Sequence, residues 1–259
     1  MQTDAISDLI KDVAARVVTP RFRALADGEI HQKRPGDYVT IADHEAEAEL
    51  TAALLAAYPD AVIIGEEAVA ARPSILDALP HADHAFTLDP VDGTKNFVKG
   101  SPDHAVMVAE LRHQRVVRSW IWQPAHEHLY VAELGAGAYL DGVRLPPLPH
   151  DERATLRLAA DLRLRGNVGR IEVVRRRGCC GVDYPLVATG ASDAVYYVSG
   201  APWDHAPGAL LLTEVGGWSG RPDGTVYDPS QPPTIGVIGA ASEVAFHVVA
   251  AAVRPTLRR

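Results

Sequence analysis

The sequence predicts an α+β / α/β fold on three observations. Apolar residues recur at helical spacing near the N-terminus, short apolar strands with turn signals fill residues 104–140, and helices alternate with strands beyond a proline-rich run at 145–152. Ile6, Leu9, Ile10, Val13, Ala14 and Val17 mark one face of an amphipathic helix that ends before Pro20 or shortly after it. A second helix spans Asp43 to Ala57. Its buried stripe is Ala46, Leu50, Ala53, Leu54 and Ala57, with Asp43 at the N-cap and Pro59 beyond its end. AVII at 61–64 reads as a strand ending in Gly65-Glu66-Glu67, and AFTL at 85–88 as another that stops at Asp89. Strands at 104–110, 116–122, 129–132 and 138–140 follow, with Asp141-Gly142 supplying turn chemistry, and they read as an antiparallel sheet.

The run LPPLPHDE at 145–152 carries three prolines and divides the chain. Residues 1–146 are expected to form an α+β domain and residues 147–259 an α/β domain. Within the second, the sequence predicts a strand near 156–160, a helix near 163–176, and a helix starting near Asp183 with Pro185 in its first turn. A strand DAVYYV follows, then a helix from Asp204 to Val215, with Pro207 in its first turn and Gly216-Gly217 as its stop. A strand at 235–238 and a helix at 242–253 finish the chain.

A net charge of −8 over 259 residues gives no field for nucleic acid, because phosphate binding needs cations that displace counterions. The cluster Arg175-Arg176-Arg177 is the local exception and reads as the solvated face of a helix. No apolar segment approaches the roughly 20 residues of a membrane span. The start, MQTDAISDLIKD, lacks the basic and apolar regions of a signal peptide, so a cytoplasmic placement without membrane partners is expected. Cys179 and Cys180, the only cysteines, are sequence neighbours poorly placed for an ordinary disulfide, which fits a reducing compartment.

Four acidic sites share one property: each lies where an apolar element stops or a helix begins. They are Glu66 after AVIIG, Asp89 and Asp92 after AFTL, and Asp204 at the front of a long apolar helix. Brought together, such carboxylates need a counter-charge, and all-oxygen ligation is the preference of magnesium. In D-P-x-D-G-T the proline stiffens the turn, so Asp89, the carbonyl of Val91 and Asp92 could face one point. Gly93 lets backbone come close, and the amides of Gly93 and Thr94, where they open a helix, suit a phosphate oxygen. Singly, each has a plainer reading: Asp before Pro starts turns, Asp43 and Asp204 are plausible N-caps, and Glu66-Glu67 fits a polar loop. His126-Glu127-His128 and His81-x-x-His84 lack the further ligands of a zinc site and read as surface histidines.

GEE at 65–67, LDPVDGT at 88–94 and PWDHAPGALLLTEVGG at 202–217 resemble the signatures of the inositol monophosphatase family, magnesium-dependent and lithium-sensitive phosphomonoesterases. The likeness continues through VTIAD at 39–43, the GAGAYLDG hairpin and LVATGASDAVYY at 186–197. The resemblance implies a layered αβαβα sandwich, with an antiparallel sheet in the N-terminal half and a mixed one in the C-terminal half. It implies that Glu66, Asp89 and the Val91 carbonyl hold a first magnesium and that Asp89, Asp92 and Asp204 hold a second, with Glu66 supporting a third. Thr94, oriented by Asp43, would position the attacking water, and Gly93 and Thr94 would cradle the phosphate. Gly181 and Asp183, with Asp92 and Asp204, would lie on the substrate side. The implied reaction is in-line attack by an activated water with no phosphoenzyme, in a homodimer acting on a small phosphorylated metabolite.

The pattern departs from the family at the substrate end. Animal inositol enzymes carry a ring-contacting glutamate after the Tyr-Tyr pair, whereas Val198-Ser199 follows Tyr196-Tyr197 here. Asp183 suits a hydroxyl or amine contact and equally a helix N-cap. GTKNFVKG, with Lys95 and Lys99, resembles the form in histidinol-phosphate phosphatases, and Lys33 falls near a mobile-loop lysine of the family. The leading expectation is a phosphatase for a polyol or sugar phosphate. Histidinol phosphate and 3′-phosphoadenosine nucleotides are the alternative substrates, and a non-catalytic metal- and phosphate-binding regulator is the alternative of another class.

Overall fold

A computed structural model describes residues 1–26, 28–149, 154–160, 167–231 and 236–254. Five layers alternate helix and sheet. The outermost holds α1 (Thr3–Val13) and α2 (Ile41–Ala57), preceded by the hairpin β1 (Ile30–Arg34) and β2 (Asp37–Thr40). These helices cover one face of a seven-stranded sheet: β3 (Val62–Gly65), β4 (His84–Asp92), β5 (Ala105–Arg112), β6 (Arg115–Gln123), β7 (His128–Glu133), β8 (Gly137–Leu140) and β9 (Val143–Arg144), hydrogen-bonded in that order. Ile6, Ile10, Leu50 and Leu54 pack there on Phe86, Leu88, Val108 and Trp120, all at or near full burial. Truncating any of these leucines to alanine costs about 2–5 kcal/mol.

On the other face lie α5 (Cys180–Ala188) and α6 (Pro202–Glu214), with Val182, Leu210 and Leu211 against Ala105, Met107 and Ile121. The same helices back onto a six-stranded mixed sheet of order β11-β12-β10-β13-β15-β14. Its strands are β10 (Leu156–Ala160), β11 (Asn167–Val168), β12 (Ile171–Arg175), β13 (Ala194–Tyr197), β14 (Trp218–Gly220) and β15 (Val237–Ala240). The last helix, α7 (Glu243–Val253), closes the fifth layer through Phe246, Val249 and Val253.

The first helix ends shortly after Pro20, within the expected bounds: a wide turn over Ala14–Val18 and a tight turn over Thr19–Arg21 carry it on, Pro20 occupying an early position where its missing amide is harmless. Several other elements differ from expectation, each for a physical reason. Thr40, not Asp43, is the N-cap of α2, and Asp43 is the reciprocal partner three residues on. The first sheet is not wholly antiparallel, since β3 pairs parallel with β4. β4 runs past Asp89 to Asp92, with a register shift where Pro90 cannot donate to the ladder.

The expected helix at 163–176 fails where it can be seen. Residues 163–166 lie outside the described residues, and Ile171–Arg175 is a strand parallel to β10. Arg175, Arg176 and Arg177 therefore sit on a strand end and the loop after it, not on a helix face. α5 and α6 begin earlier than expected, at Cys180 and Pro202, placing Pro185 and Pro207 in second turns. Residues 150–152 of the proline-rich run, Ile235 and residues 255–259 also lie outside the described residues.

Candidate active site

The loop ends of β3 and β4 and the N-terminus of α6 bring the four acidic sites together. Glu66 opens α3 (Glu66–Ala71) directly after β3. Asp89 and Asp92 occupy the end of β4, where Val91 donates its amide to Asp89 Oδ1 at 3.1 Å in a tight Asp-Pro turn. Asp204 stands in the first turn of α6, where the helix dipole favours an anion. Asp89, 2% exposed, lies beside Glu66 on one side and Asp204 on the other.

The electrostatics follow from crowding under burial. Burial and the charges of Glu66, Asp92 and Asp204 push Asp89 well above the usual carboxylate range, and Asp204 rises for the same reasons. Burial lifts Asp92 to about 6, opposed by hydrogen bonds from the Gly181 amide and the Cys179 thiol. Glu66 is raised by burial and partly relieved by Lys33. The Lys33 ammonium lies 2.7 Å from Glu66 Oε1 and 2.9 Å from Glu67 Oε1. Burial opposes charge on Lys33, yet the two glutamates hold it above the usual lysine range. A set of oxygen donors with excess negative charge, drawing in a lysine as counter-ion, fits a hard divalent cation such as magnesium.

Beside this cluster, Thr94 Oγ1 lies 3.2 Å from Asp43 Oδ1 and 2.9 Å from the Val91 carbonyl oxygen, so its single proton serves one at a time. Asp43 is fully buried and accepts the Thr40 amide and hydroxyl at 2.8 and 2.6 Å through its other oxygen. Burial raises it to about 7 in spite of those donors. Gly93 is the N-cap of α4 (Thr94–Val98) with φ +79°, and a Cβ there meets the Asp103 carbonyl and Cys179 Cβ at 3.0 Å. Only glycine suits both the angle and the closeness.

Two residues expected on the substrate side have their polar atoms committed within the protein. Gly181 donates its amide to Asp92 Oδ2 at 2.5 Å, so it supports a candidate ligand instead of offering that donor to substrate. Its carbonyl, which Pro185 leaves without a helical donor, takes the Gln123 Nε2–H at 2.7 Å. Asp183 is 1% exposed, and its oxygens accept the amides of Arg177 and Gly178 and the Tyr197 hydroxyl. It ties down the loop before α5. Lys95 and Lys99 are both exposed on α4 and its end.

Residues that the sequence did not single out complete the surroundings. Glu47 sits one helical turn after Asp43 on α2 and accepts the amides of Glu67 and Ala68 at 2.8 Å, capping α3. Any Cβ at Gly65 falls 2.4 Å from the Glu47 carboxyl carbon. The i, i+4 spacing from Asp43 was the available signal. Cys179 places its thiol 3.0 Å from Asp92 Oδ2, and both cysteines are free. A cleft of about 800 Å³ opens beside the cluster, bounded by Lys33, Arg34, Glu66, Trp203 and Asp204.

The histidine motifs form no shared site. His126, in the turn after β6, and His128, at the start of β7, stack with rings 13° from parallel, but they approach different aspartates, Asp103 and Asp141, while His84 turns to Glu110. Cys180, Asp204 and His205 group their donor atoms within 4.8 Å. The His205 nitrogens are already engaged, with the Tyr184 hydroxyl and the Ser199 carbonyl each at 2.9 Å, so the trio has no free imidazole.

Comparisons with known proteins point one way. A profile of the inositol monophosphatase family matches residues 2–257. The inositol-1-monophosphatase of Rhizobium meliloti is 32% identical over 225 residues, covering 82% of each chain. The Nus factor SuhB of Pseudomonas aeruginosa is 33% identical over 203 residues, covering 73% of each. The solved Thermotoga maritima IMPase superposes with a TM-score of 0.79 at 21% identity, covering 98% of this chain and 96% of that one. An IMPase/NADP phosphatase solved with Mg2+ and phosphate gives 0.76 at 22% identity, covering 95% of each. The chain belongs to the inositol monophosphatase family.

Proposed function

We propose that the protein is a magnesium-dependent phosphomonoesterase acting on a small phosphorylated metabolite. The observation that carries this reading is the buried Asp89, placed between Glu66 and Asp204 with Asp92 close by and a lysine drawn in as counter-charge. Glu66, Asp89, the Val91 carbonyl, Asp92 and Asp204 would hold the metal, as two or three ions. When bound, magnesium supplies positive charge that offsets the phosphoryl group and acidifies a water. The protein's own residues do the rest. Thr94 holds the attacking water on its hydroxyl and Asp43 receives the hydrogen bond that fixes Thr94's orientation. The amides of Gly93 and Thr94 face the phosphate. Asp92 is held in place by Gly181 and Cys179, and Glu66 by the α3 cap that Glu47 provides.

The leaving group extends into the cleft walled by Trp203, Ala201 and Ser199. Val198, 57% exposed, stands where a ring-contacting glutamate would be expected, which admits histidinol phosphate or a 3′-phosphoadenosine nucleotide beside a polyol phosphate. The same proposal keeps the division at 146/147, because one sheet draws on residues 62–144 and the other on 156–240. It also places the protein in the cytoplasm as a homodimer. No helix among the described residues is long and apolar enough to cross a membrane.

The test is phosphate release from inositol 1-phosphate, histidinol phosphate, fructose 1,6-bisphosphate and 3′-phosphoadenosine 5′-phosphate, with and without magnesium, beside Asp89→Asn. Magnesium-dependent turnover lost in the variant supports the reading and names the substrate. A second reading, a regulator that binds metal and phosphate without turnover, is favoured by one observation: a 33% identical relative bears the name Nus factor. Magnesium binding without release of phosphate from any panel member selects it.

A further inference from the structure

We propose that Arg175, Arg176 and Arg177 form a second anion site, separate from the carboxylate cluster, for a small molecule bearing two or more phosphate-like groups. The three side chains line one concave cavity of about 550 Å³, together with Asn96, Ser101 and Ser192. They reach it because β12 ends at Arg175 and the loop toward α5 carries the next two residues across its rim. The helix expected from the sequence would have spread three consecutive residues around its axis.

The cavity has positive charge that its own carboxylates do not cancel. Arg175 and Arg176 make no ion pair with a described carboxylate. Arg176 stacks on Tyr197 with its guanidinium carbon 4.2 Å from the ring centroid, an arrangement that leaves the N–H edge available. Arg177 Nη1 stands 3.7 Å from Asp103 Oδ2, a loose contact, and Asp103 is also approached by His126 at 3.5 Å. The other acid of the wall, Asp183, commits its oxygens to the Arg177 and Gly178 amides and the Tyr197 hydroxyl. Three guanidinium forks beside the Ser101 hydroxyl match a ligand that offers several phosphate oxygens.

The frame is fixed. Asn96 Nδ2 donates to the Asp103 carbonyl at 2.8 Å and the Arg177 carbonyl at 3.0 Å, clamping the loop to α4, while Asp183 clamps it to α5. Arginines on a clamped loop lose less side-chain freedom on binding than arginines on a mobile one. Ala159, Val174 and Leu186 give the cavity apolar walls, which suits a compact ligand rather than a strand of nucleic acid. The overall charge of −8 argues the same way. None of its lining residues also lines the cleft bounded by Lys33, Arg34, Glu66, Trp203 and Asp204, so the leaving group of a bound substrate does not occupy it.

The experiment is calorimetric titration of the full chain, freed of divalent ions on a chelating resin, with tripolyphosphate, ATP, inorganic phosphate and a single-stranded RNA oligonucleotide. Without metal the carboxylate cluster repels anions, so binding reports on the arginines, and the outcome is independent of whether the protein is a phosphatase. Tripolyphosphate is expected to bind at least about 10-fold tighter than inorganic phosphate and to weaken with salt. The double variant Arg175→Ser/Arg177→Ser, at two exposed positions, is expected to lose at least about 10-fold in affinity, while Lys33→Ser stays within about twofold. Tighter binding of ATP than of tripolyphosphate identifies a nucleotide as the source of the anion, and equal binding identifies free polyphosphate. Absence of tripolyphosphate binding, equal binding by the double variant, or tighter binding of RNA overturns the proposal.

Discussion

Replacing Asp43 by asparagine should reshape the dependence of stability on pH in the metal-free protein. Asp43 rises from an ordinary value of 3.8 to about 7 because it is fully buried. The native state therefore holds a proton that the unfolded chain releases, and stability falls as pH climbs from about 4 to 7. About 3 units at about 1.4 kcal/mol each amount to about 4 kcal/mol over the whole window. Between about pH 5 and 8 some 2 of those units are crossed, worth about 3 kcal/mol or roughly 5–10 °C in Tm for a chain of this length. His104 and His205, both lowered to about 4 by burial, act in the opposite sense below about 6.5, because the unfolded chain takes up their protons first. The difference between wild type and Asp43→Asn cancels the histidines. The amide can keep the geometry, its oxygen accepting from Thr40 and its nitrogen donating to Thr94 Oγ1, whose proton then goes to the Val91 carbonyl. Thermal unfolding of both proteins in metal-free buffer checks this: the variant should gain on wild type by about 3 kcal/mol as pH rises. A constant difference across that range refutes the burial argument for Asp43.

Asp89→Asn should abolish magnesium-dependent phosphate release, by at least about 10³-fold, while raising the metal-free Tm, since one of several repelling acids is gone. Unfolding curves beside the phosphate assay separate lost chemistry from lost fold. Gln123→Ala should cost about 1–3 kcal/mol by stranding the Gly181 carbonyl, and adding Pro185→Ala should recover part of it, because an alanine in place of that proline restores the helical donor. Strict additivity of the two changes in denaturant unfolding would falsify that link. Gly181→Ala sets a Cβ 2.4 Å from that of Ala105 and should cost about 1–3 kcal/mol while weakening magnesium binding measured by calorimetry, because the amide that holds Asp92 must move.

The carboxylates were legible because each ends an element whose apolar pattern is plain. The supports around them were not, since they come from contacts between elements far apart in sequence: Cys179 and Gly181 meet Asp92 across 87 and 89 positions. Glu47 looks like an ordinary helix polar in the sequence, and only the packing of α2 against the β3 end turns it inward. The misplaced helix at 163–176 has a simple cause. Arginine suits helices, but Ile171, Val173 and Val174 are β-branched and find a parallel partner in β10, and that tertiary pairing overrides local preference. At Asp183 the sequence admits an N-cap or a substrate contact; hydrogen bonds back to the loop before it explain why an acid sits there.

The position of Asp204 on α6 also sets a time. That helix packs between the two sheets and touches β4, β5, β6 and β7, so it can dock only after both neighbours exist. From Asp92 to Asp204 the ribosome adds 204 − 92 = 112 residues, about 6–22 s of synthesis at about 5–20 residues per second. For that interval the N-terminal carboxylates are exposed and incomplete. The nascent chain carries three of the four acids of the cluster, and the fourth joins them late, when α6 docks between the sheets.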